Sequence, residues 1–277
     1  MKIIYKRVEW LEKQGALVAN VPPHITIHLT ATEQKELLSS SQAFFLRWNS
    51  QYDVTERVFW YIIKEHFGGI EELSANTKSK LRRGDKKAYV QLFDPLIYIN
   101  ELYYVYAAAS KRYDTFEKIM DQESFVLYIK NLPIDKYDFF GVFDKETDIL
   151  IAYSQNLIEK NTCFYEEIFY NPEYLKNYIG YILIFEMNHF YLQKSQLLYV
   201  HDGSINLSHP TQIHDFLIQK FKFQKVYTRM EISYRKDIAI VVNILYPFRK
   251  MIERCPLNIC KKISILLKHE IIRRSYD

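Results

Sequence analysis

Hydrophobic and polar positions repeat with two different periods along this chain. In HITIHLT (24–30) they alternate residue by residue, which predicts a strand with one buried face. In VTERVFWYIIKEHF (54–67) the apolar residues fit three- and four-residue spacings. That predicts an amphipathic helix, closed by Gly68-Gly69. MKIIYKRVEWL (1–11) reads as short strand structure around a turn. Thr30 to Glu33 opens a predicted helix through KELLSSSQAFFLRW, with Thr30 or Thr32 as its cap.

LSANTKSKLRRGDKK (73–87) sets Lys78, Lys80, Arg82, Arg83, Lys86 and Lys87 against one acid, Asp85. The composition shifts there, and a boundary is expected near Ala88. Beyond it the pattern is regular. YVQLFD is a strand; ELYYVYAAASKRY and SFVLYIKNL are helices. DFFGVFD and ILIAYSQNLIEKN form a hairpin around the polar turn KETD. TCFYEEIFYN (162–171) is a strand. PEYLKNYIGYILIFEMNHFYLQ (172–193) is one long helix with Pro172 near its start, where a missing N–H costs nothing. QLLYVHD is a strand, TQIHDFLIQKF a helix and FQKVYTRMEISY a strand. This order predicts an α/β mixed sheet with helices on both faces. No repeat of 20 to 50 residues is apparent.

Composition narrows the chemistry. There are 277 residues, nearly half hydrophobic, with 23 Tyr and 18 Phe, enough for a sizeable core. A net charge of +4 does not argue for nucleic acid by itself. Three cysteines (Cys163, Cys255, Cys260) suggest a reducing compartment, and with no signal-peptide pattern a cytoplasmic location is expected. Only seven glycines occur, and GxGxxG, GxxxxGK[ST] and GxSxG are all absent. A dinucleotide site, a P-loop and a nucleophile elbow would each lack their turn residues. His209 and His214 lack an HExxH frame and Cys255-x4-Cys260 is a single pair, so no metal is expected.

With this order in place, Tyr89 to Tyr234 resembles the GNAT acyltransferase fold. KNYIGYIL (176–183) is similar to that family's (Q/R)xxGx(G/A) motif before the central helix: Gly180 takes the second small position and Tyr178 stands where the first glycine belongs. TQIHDFLIQKFKF (211–223) resembles a second family motif, with Thr211 in the Asn place, Phe223 the final Phe, Lys222 for Gly, and Ile218 for a Tyr that often protonates the leaving thiolate. LSANTKSKLRRGDKKA is similar to a segment of Fem-type aminoacyl transferases, bacterial proteins that take aminoacyl-tRNA and carry two GNAT-like lobes. The resemblance implies a GNAT-like mixed sheet splayed between its fourth and fifth strands. Around it stand an N-terminal α+β extension or reduced lobe (1–88), the acyltransferase domain (89–248) and a C-terminal helical tail (249–277).

The resemblance also implies chemistry. In the GNAT family the pantetheine of acyl-CoA enters the splay, and the loop before the central helix binds its pyrophosphate. Carried onto this chain, Ile168 and Tyr170 lie where a fourth-strand N–H meets the thioester oxygen. Lys176, Asn177, Tyr178, Ile179, Gly180 and Thr211 lie where the cofactor binds, with Glu173 opposing the charge of Lys176. Acyl transfer to an amine needs a positioned base and oxyanion donors. The candidate bases are Glu166 and Glu167, which strand alternation sets on opposite faces, and His201 and Asp202 at the end of the fifth strand. His201 has an ordinary pKa of about 6.5, suited to proton transfer near neutrality. Tyr103, Tyr104 and Tyr106 are acceptor-side candidates.

The expected activity is acyl-CoA-dependent transfer, acetyl-CoA or another acyl-CoA being the cofactor, to an amine of a small molecule or cell-envelope precursor. A Fem-like transferase using charged tRNA, or a non-catalytic binding module, are the alternatives. Each residue also has a structural reading. Asp202-Gly203 forms a turn, Glu166 and Glu167 are solvated or ion-paired, Gly180 permits close packing, and Lys78 to Lys87 is a solvated face. From Arg249 onward eight Lys/Arg stand against three acids. That basic amphipathic tail suits either a peripheral membrane contact or docking on the N-terminal lobe or a second subunit.

Overall fold

The computed structural model describes residues 1–111, 119–207 and 212–276. Two compact units divide the chain. The first takes Met1–Tyr61, Ser204–Thr211 and Lys225–Asp277; the second takes Ile62–Gly203 and Gln212–Gln224. In chain order the first unit holds strands β1 (Lys2–Tyr5), β2 (Val8–Lys13) and β3 (Ala16–Ala19), helix α1 (Ala31–Ser39) and strand β4 (Phe45–Tyr52). Strand β5 (Trp60–Lys64) carries the chain onward. The second unit holds α2 (Ala75–Asp85), β6 (Ala88–Leu92), α3 (Ile99–Ser110) and α4 (Gln122–Asn131). It continues with β7 (Tyr137–Asp144), β8 (Leu150–Glu159), β9 (Thr162–Tyr170), α5 (Ile179–Asn188), β10 (Tyr199–Ser204) and α6 (Gln212–Phe221). Strand β11 (Gln224–Tyr234) and helices α7 (Lys236–Leu245), α8 (Arg249–Arg254) and α9 (Asn258–Arg274) return to the first unit.

In the second unit the strands lie in the order β10-β9-β8-β7-β6. β10 and β9 are parallel and the rest antiparallel, so this is an open mixed sheet. Leu102, Val105, Phe125 and Ile129 of α3 and α4 pack with Phe139, Phe143 and Tyr153 in one buried cluster. In the first unit the order is β1-β2-β3-β4-β11, with Trp10, Leu17, Leu37 and Trp48 at the centre of a separate core.

Four expectations change. VTERVFWYIIKEHF holds β5, not a helix, because an unbroken aromatic and β-branched run fits a buried strand as well as a helix and Ile62 and Ile63 are fully buried. HITIHLT joins no ladder; the Ile27 N–H donates to the Asn49 carbonyl at 2.8 Å and the segment otherwise runs irregularly. The α1 helix stops at Ser39, and FLRW (45–48) goes into β4. At its start Thr30 accepts from the Glu33 N–H while the Glu33 side chain accepts from the Thr30 N–H, a capping box. The long helix after Pro172 is three pieces: a 3₁₀ turn (Pro172–Asn177), α5, and a π-helical end (His189–Lys194). The first break is Tyr178, which is left-handed (φ 58°, ψ 29°).

The C-terminal helix folds into the first unit. Ile272 packs with Ala16, Phe45, Phe59, Met230 and Ile232. His269 is buried, its ring 5.0 Å from Phe45. Its Nδ1 lies 2.8 Å from the Ile265 carbonyl and its Nε2 3.4 Å from Arg47 Nη1. A carbonyl only accepts and a guanidinium only donates, so the neutral ring carries its proton on Nδ1. Burial, and then the Arg47 charge, lower its pKa from 6.5 to about 4. The unfolded chain therefore binds one more proton than the folded chain between those values. Stability is full above pH 6.5, falls as pH drops through that window, and levels off below about 4. The loss is roughly 3 kcal/mol. Urea unfolding of His269→Gln between pH 4 and 7 is expected to show a flatter profile than the parent.

Candidate active site

The site starts from where two strands part. β9 and β10 pair through Tyr199 with Thr162, Val200 with Cys163 and His201 with Phe164, and the register ends there. β9 runs on to Tyr170 against β8. Within that pairing Asn156 faces Tyr165 and Gln155 faces Glu167, so Glu166 is an extra residue, a β-bulge. Bulges bend a strand and raise its twist, and this one falls just past the last β9–β10 pair. The Asn171 N–H donates to the Ile151 carbonyl of β8 at 2.9 Å. Strand alternation then turns the Ile168 and Tyr170 amides the other way, to the edge on the β10 side.

The bulge also decides which way the carboxylates point. Tyr165 faces α5, its hydroxyl donating to Asn188 Oδ1 at 2.8 Å. Gln155 faces α4: its Nε2 donates to Tyr128 Oη at 2.8 Å and to Glu166 Oε2 at 3.1 Å. Glu167 is the register partner of Gln155, and the charges of both glutamates act on the Tyr128 phenol. Glu166 and Glu167 therefore share the α4 face, against the expectation from simple alternation, because the inserted residue cancels one alternation step. Tyr137 stands close enough to Glu166 to feel its charge. Burial, and then that carboxylate's charge, push the Tyr137 phenol well up, while burial raises Tyr128. Both phenols stay protonated and able to donate to a carboxylate.

His201 lies on this face too, its ring stacked on Phe164 at 4.8 Å and 6°. The Gly203 N–H donates to its Nδ1 at 3.4 Å, which leaves Nε2 to carry the proton of the neutral ring. In that tautomer His201 donates at Nε2. Asp202 faces the opposite side, where its Oδ2 lies 3.3 Å from His214 Nε2 of α6. Burial pushes Asp202 up and His214 draws it back. Of the four candidate bases, three share a face and Asp202 ties β10 to α6.

The cofactor-side candidates surround the start of α5. Ile179 is buried and Lys176 exposed. A Cβ on Gly180 would stand 3.3 Å from Tyr170 Oη, so the missing side chain lets that ring lie over the first turn. Tyr178 takes the left-handed conformation that glycine adopts most easily. The Arg83 guanidinium lies 4.6 Å from its ring centre and Lys80 Nζ at 5.8 Å. Lys80 also donates to Tyr181 Oη at 3.2 Å. Helix α2 reaches this close because of Gly84, where a Cβ would meet the Tyr178 carbonyl at 3.1 Å and the Asn177 carbonyl at 3.3 Å. Basic α2 is thus seated on the turn that leads into α5. Thr211 and His209 lie outside the described residues.

At the C-terminal end of β9 a groove of about 400 Å³ runs between Asn100, Glu101 and Tyr104 of α3 and Asn171, Glu173 and Tyr174. Tyr103 and Tyr106 instead pack against Phe125. Sequence reasoning missed Gln155, Tyr128, Tyr137 and the groove's Asn100 and Glu101. A signal existed for the first: SQN interrupts the apolar strand ILIAYSQNLI, and polar residues in a buried strand need partners. Among the described residues no cluster of three or more metal-ligating side chains forms.

No protein-family model and no curated protein matches the chain. Solved structures do. FemX aligns with a TM-score of 0.57 at 8% identity, over 89% of this chain and 86% of FemX. L-PGS from Bacillus licheniformis aligns at 0.50 and 12% identity, over 86% and 83%. A tandem GNAT protein from the clavulanic acid biosynthesis pathway aligns at 0.50 and 9% identity, over 82% and 78%. The likeness reaches well outside Tyr89–Tyr234. An open mixed sheet whose parallel strands part at a bulge, with the central helix following, is the GNAT fold, and this chain has it over most of its length in the manner of FemX and L-PGS.

Proposed function

We propose that this protein is a GNAT-fold transferase that moves an aminoacyl group from tRNA to an amine. The observation that carries the transferase reading is the end of β9–β10 pairing at the Glu166 bulge. It supports a slot edged by the Ile168 and Tyr170 amides, with two carboxylates on the α4 face. In this reading the acceptor amine gives its proton to Glu166, positioned by Gln155 and Tyr137. The Ile168 N–H serves the oxyanion of the tetrahedral intermediate. As it collapses, the C–O ester bond breaks, the amine nitrogen keeps the acyl carbon, and the proton held by Glu166 passes to the departing ribose oxygen of the tRNA terminus, which leaves as a hydroxyl. Glu101 and Glu173 in the α3 groove favour an acceptor that carries an ammonium group.

The choice of donor rests on α2. Its cations, with Lys80 and Arg83 beside Tyr178, suit the phosphates of a polynucleotide end. The long likeness to FemX and L-PGS supports the same reading. Acyl-CoA is the second reading, favoured by the slot itself; Tyr178 in the glycine place and Glu173 in the turn fit a pyrophosphate less well. Two binding experiments separate the donors. Charged tRNA is expected to shift the protein in a gel, with affinity falling on the order of 20-fold from 50 to 200 mM salt if three phosphates are held. Thermal stabilisation by acetyl-CoA without any tRNA binding would replace the first reading by the second.

A further inference from the structure

We propose that the outer face of α7, α8 and the start of α9 is a docking surface for an anionic lipid bilayer. Ile240, Ile244 and Met251 are 62%, 62% and 68% exposed, and Phe248 is also more than half exposed. They follow one another at spacings of four, four and three residues along a nearly continuous helical run. At about 100° per residue they fall within roughly 80° of one another, a single stripe. Leu257 and Ile259, each 61% exposed, extend it onto α9. The inner side is occupied by the protein. Val242 is buried, Asn243 accepts from Arg274, and Glu253 turns to Lys268. A soluble surface rarely leaves so many large apolar side chains together without a use.

Charge selects the occupant. By the same helical count Lys236, Lys250 and Arg254 line one side of the stripe, Asp237 falls within it but is paired with Arg235, and Lys261 and Lys262 stand near its α9 end. From 249 to 262 five Lys/Arg face one acid, a net of +4. A two-fold contact with a second copy would bring these cations against themselves. An anionic bilayer neutralises them and takes the apolar side chains into its interface, the pattern of an interfacial amphipathic helix. Among the described residues no helix is long and apolar enough to cross a membrane, so the contact lies on the surface.

Vesicle sedimentation tests this without reference to any enzymatic activity, so its outcome stands apart from the transferase reading. The full chain is expected to bind phosphatidylglycerol-containing vesicles at least tenfold more tightly than pure phosphatidylcholine vesicles in about 0.1 M salt. Ile244→Asp with Met251→Asp should lose that binding tenfold or more. Lys250→Glu with Arg254→Glu should abolish the preference for the anionic vesicles. These side chains are exposed, so circular dichroism and melting of both variants should match the parent. Equal binding to both vesicle types overturns the proposal. So does no binding to either, or a dimer in sedimentation equilibrium that Ile244→Asp dissolves.

Discussion

Glu166→Gln is expected to lower turnover by about 10²–10⁴, the usual range for losing a positioned general base, with donor affinity unchanged. The substitution keeps the shape and a polar contact to Gln155 but removes the proton acceptor. The neighbours make the position specific. Gln155 donates to Glu166, and the Tyr137 phenol, raised by burial and by the carboxylate's charge, stays protonated beside it. Gln155 is almost fully buried, which locks the arrangement. Asp202→Asn serves as the contrast. Asp202 lies on the other face against His214, so its loss should reduce stability and leave turnover within a few fold. Single-turnover kinetics with donor bound measure both. Turnover of Glu166→Gln within about threefold of the parent would remove Glu166 from the chemistry and leave Glu167 as the remaining carboxylate on that face.

Glu72→Ala is expected to destabilise the protein by about 3–5 kcal/mol, the effect of stripping one partner from a buried ion pair. Lys64 is 3% exposed, and its Nζ meets the two oxygens of Glu72 at 2.9 and 3.0 Å. Burial lowers the Lys64 pKa, Glu72 opposes that shift, and the charge of Lys222 adds to it. Without Glu72 the ammonium stays buried beside another cation. Replacing both partners, Lys64→Met with Glu72→Leu, should recover most of the loss because no charge is left to desolvate. Urea unfolding at pH 7 distinguishes the two variants. A loss under about 1 kcal/mol in Glu72→Ala would mean that Lys64 reaches water.

Much of the second unit was legible in the sequence because local signals and tertiary packing agree there. The hairpin around KETD, the strand through HDG and the helix after it follow from period and turn residues. The first unit was harder. VFWYII satisfies a helical spacing only because nearly every position in it is apolar, and burial in a sheet decides the matter. The site divides in the same way. The places of Glu166 and Ile168 on the strand before the central helix, and of Gly180 at that helix's start, followed from the element order. The sharing of a face by Glu166 and Glu167 did not, since a one-residue bulge leaves no mark in hydrophobic periodicity. The seating of α2 on the α5 turn depends on Gly84 and on Tyr178 in a left-handed conformation, contacts between segments almost a hundred residues apart.

The slot lies along the edge of β9 beyond its last pair with β10, and amide hydrogen exchange measures that edge directly. With saturating charged tRNA, or with acetyl-CoA if that proves to be the ligand, exchange in the peptide spanning 165–170 should slow by tenfold or more. The peptide spanning 150–159 of β8 should not change. Donor bound with the 165–170 amides exchanging as fast as before would place the donor elsewhere and contradict the account.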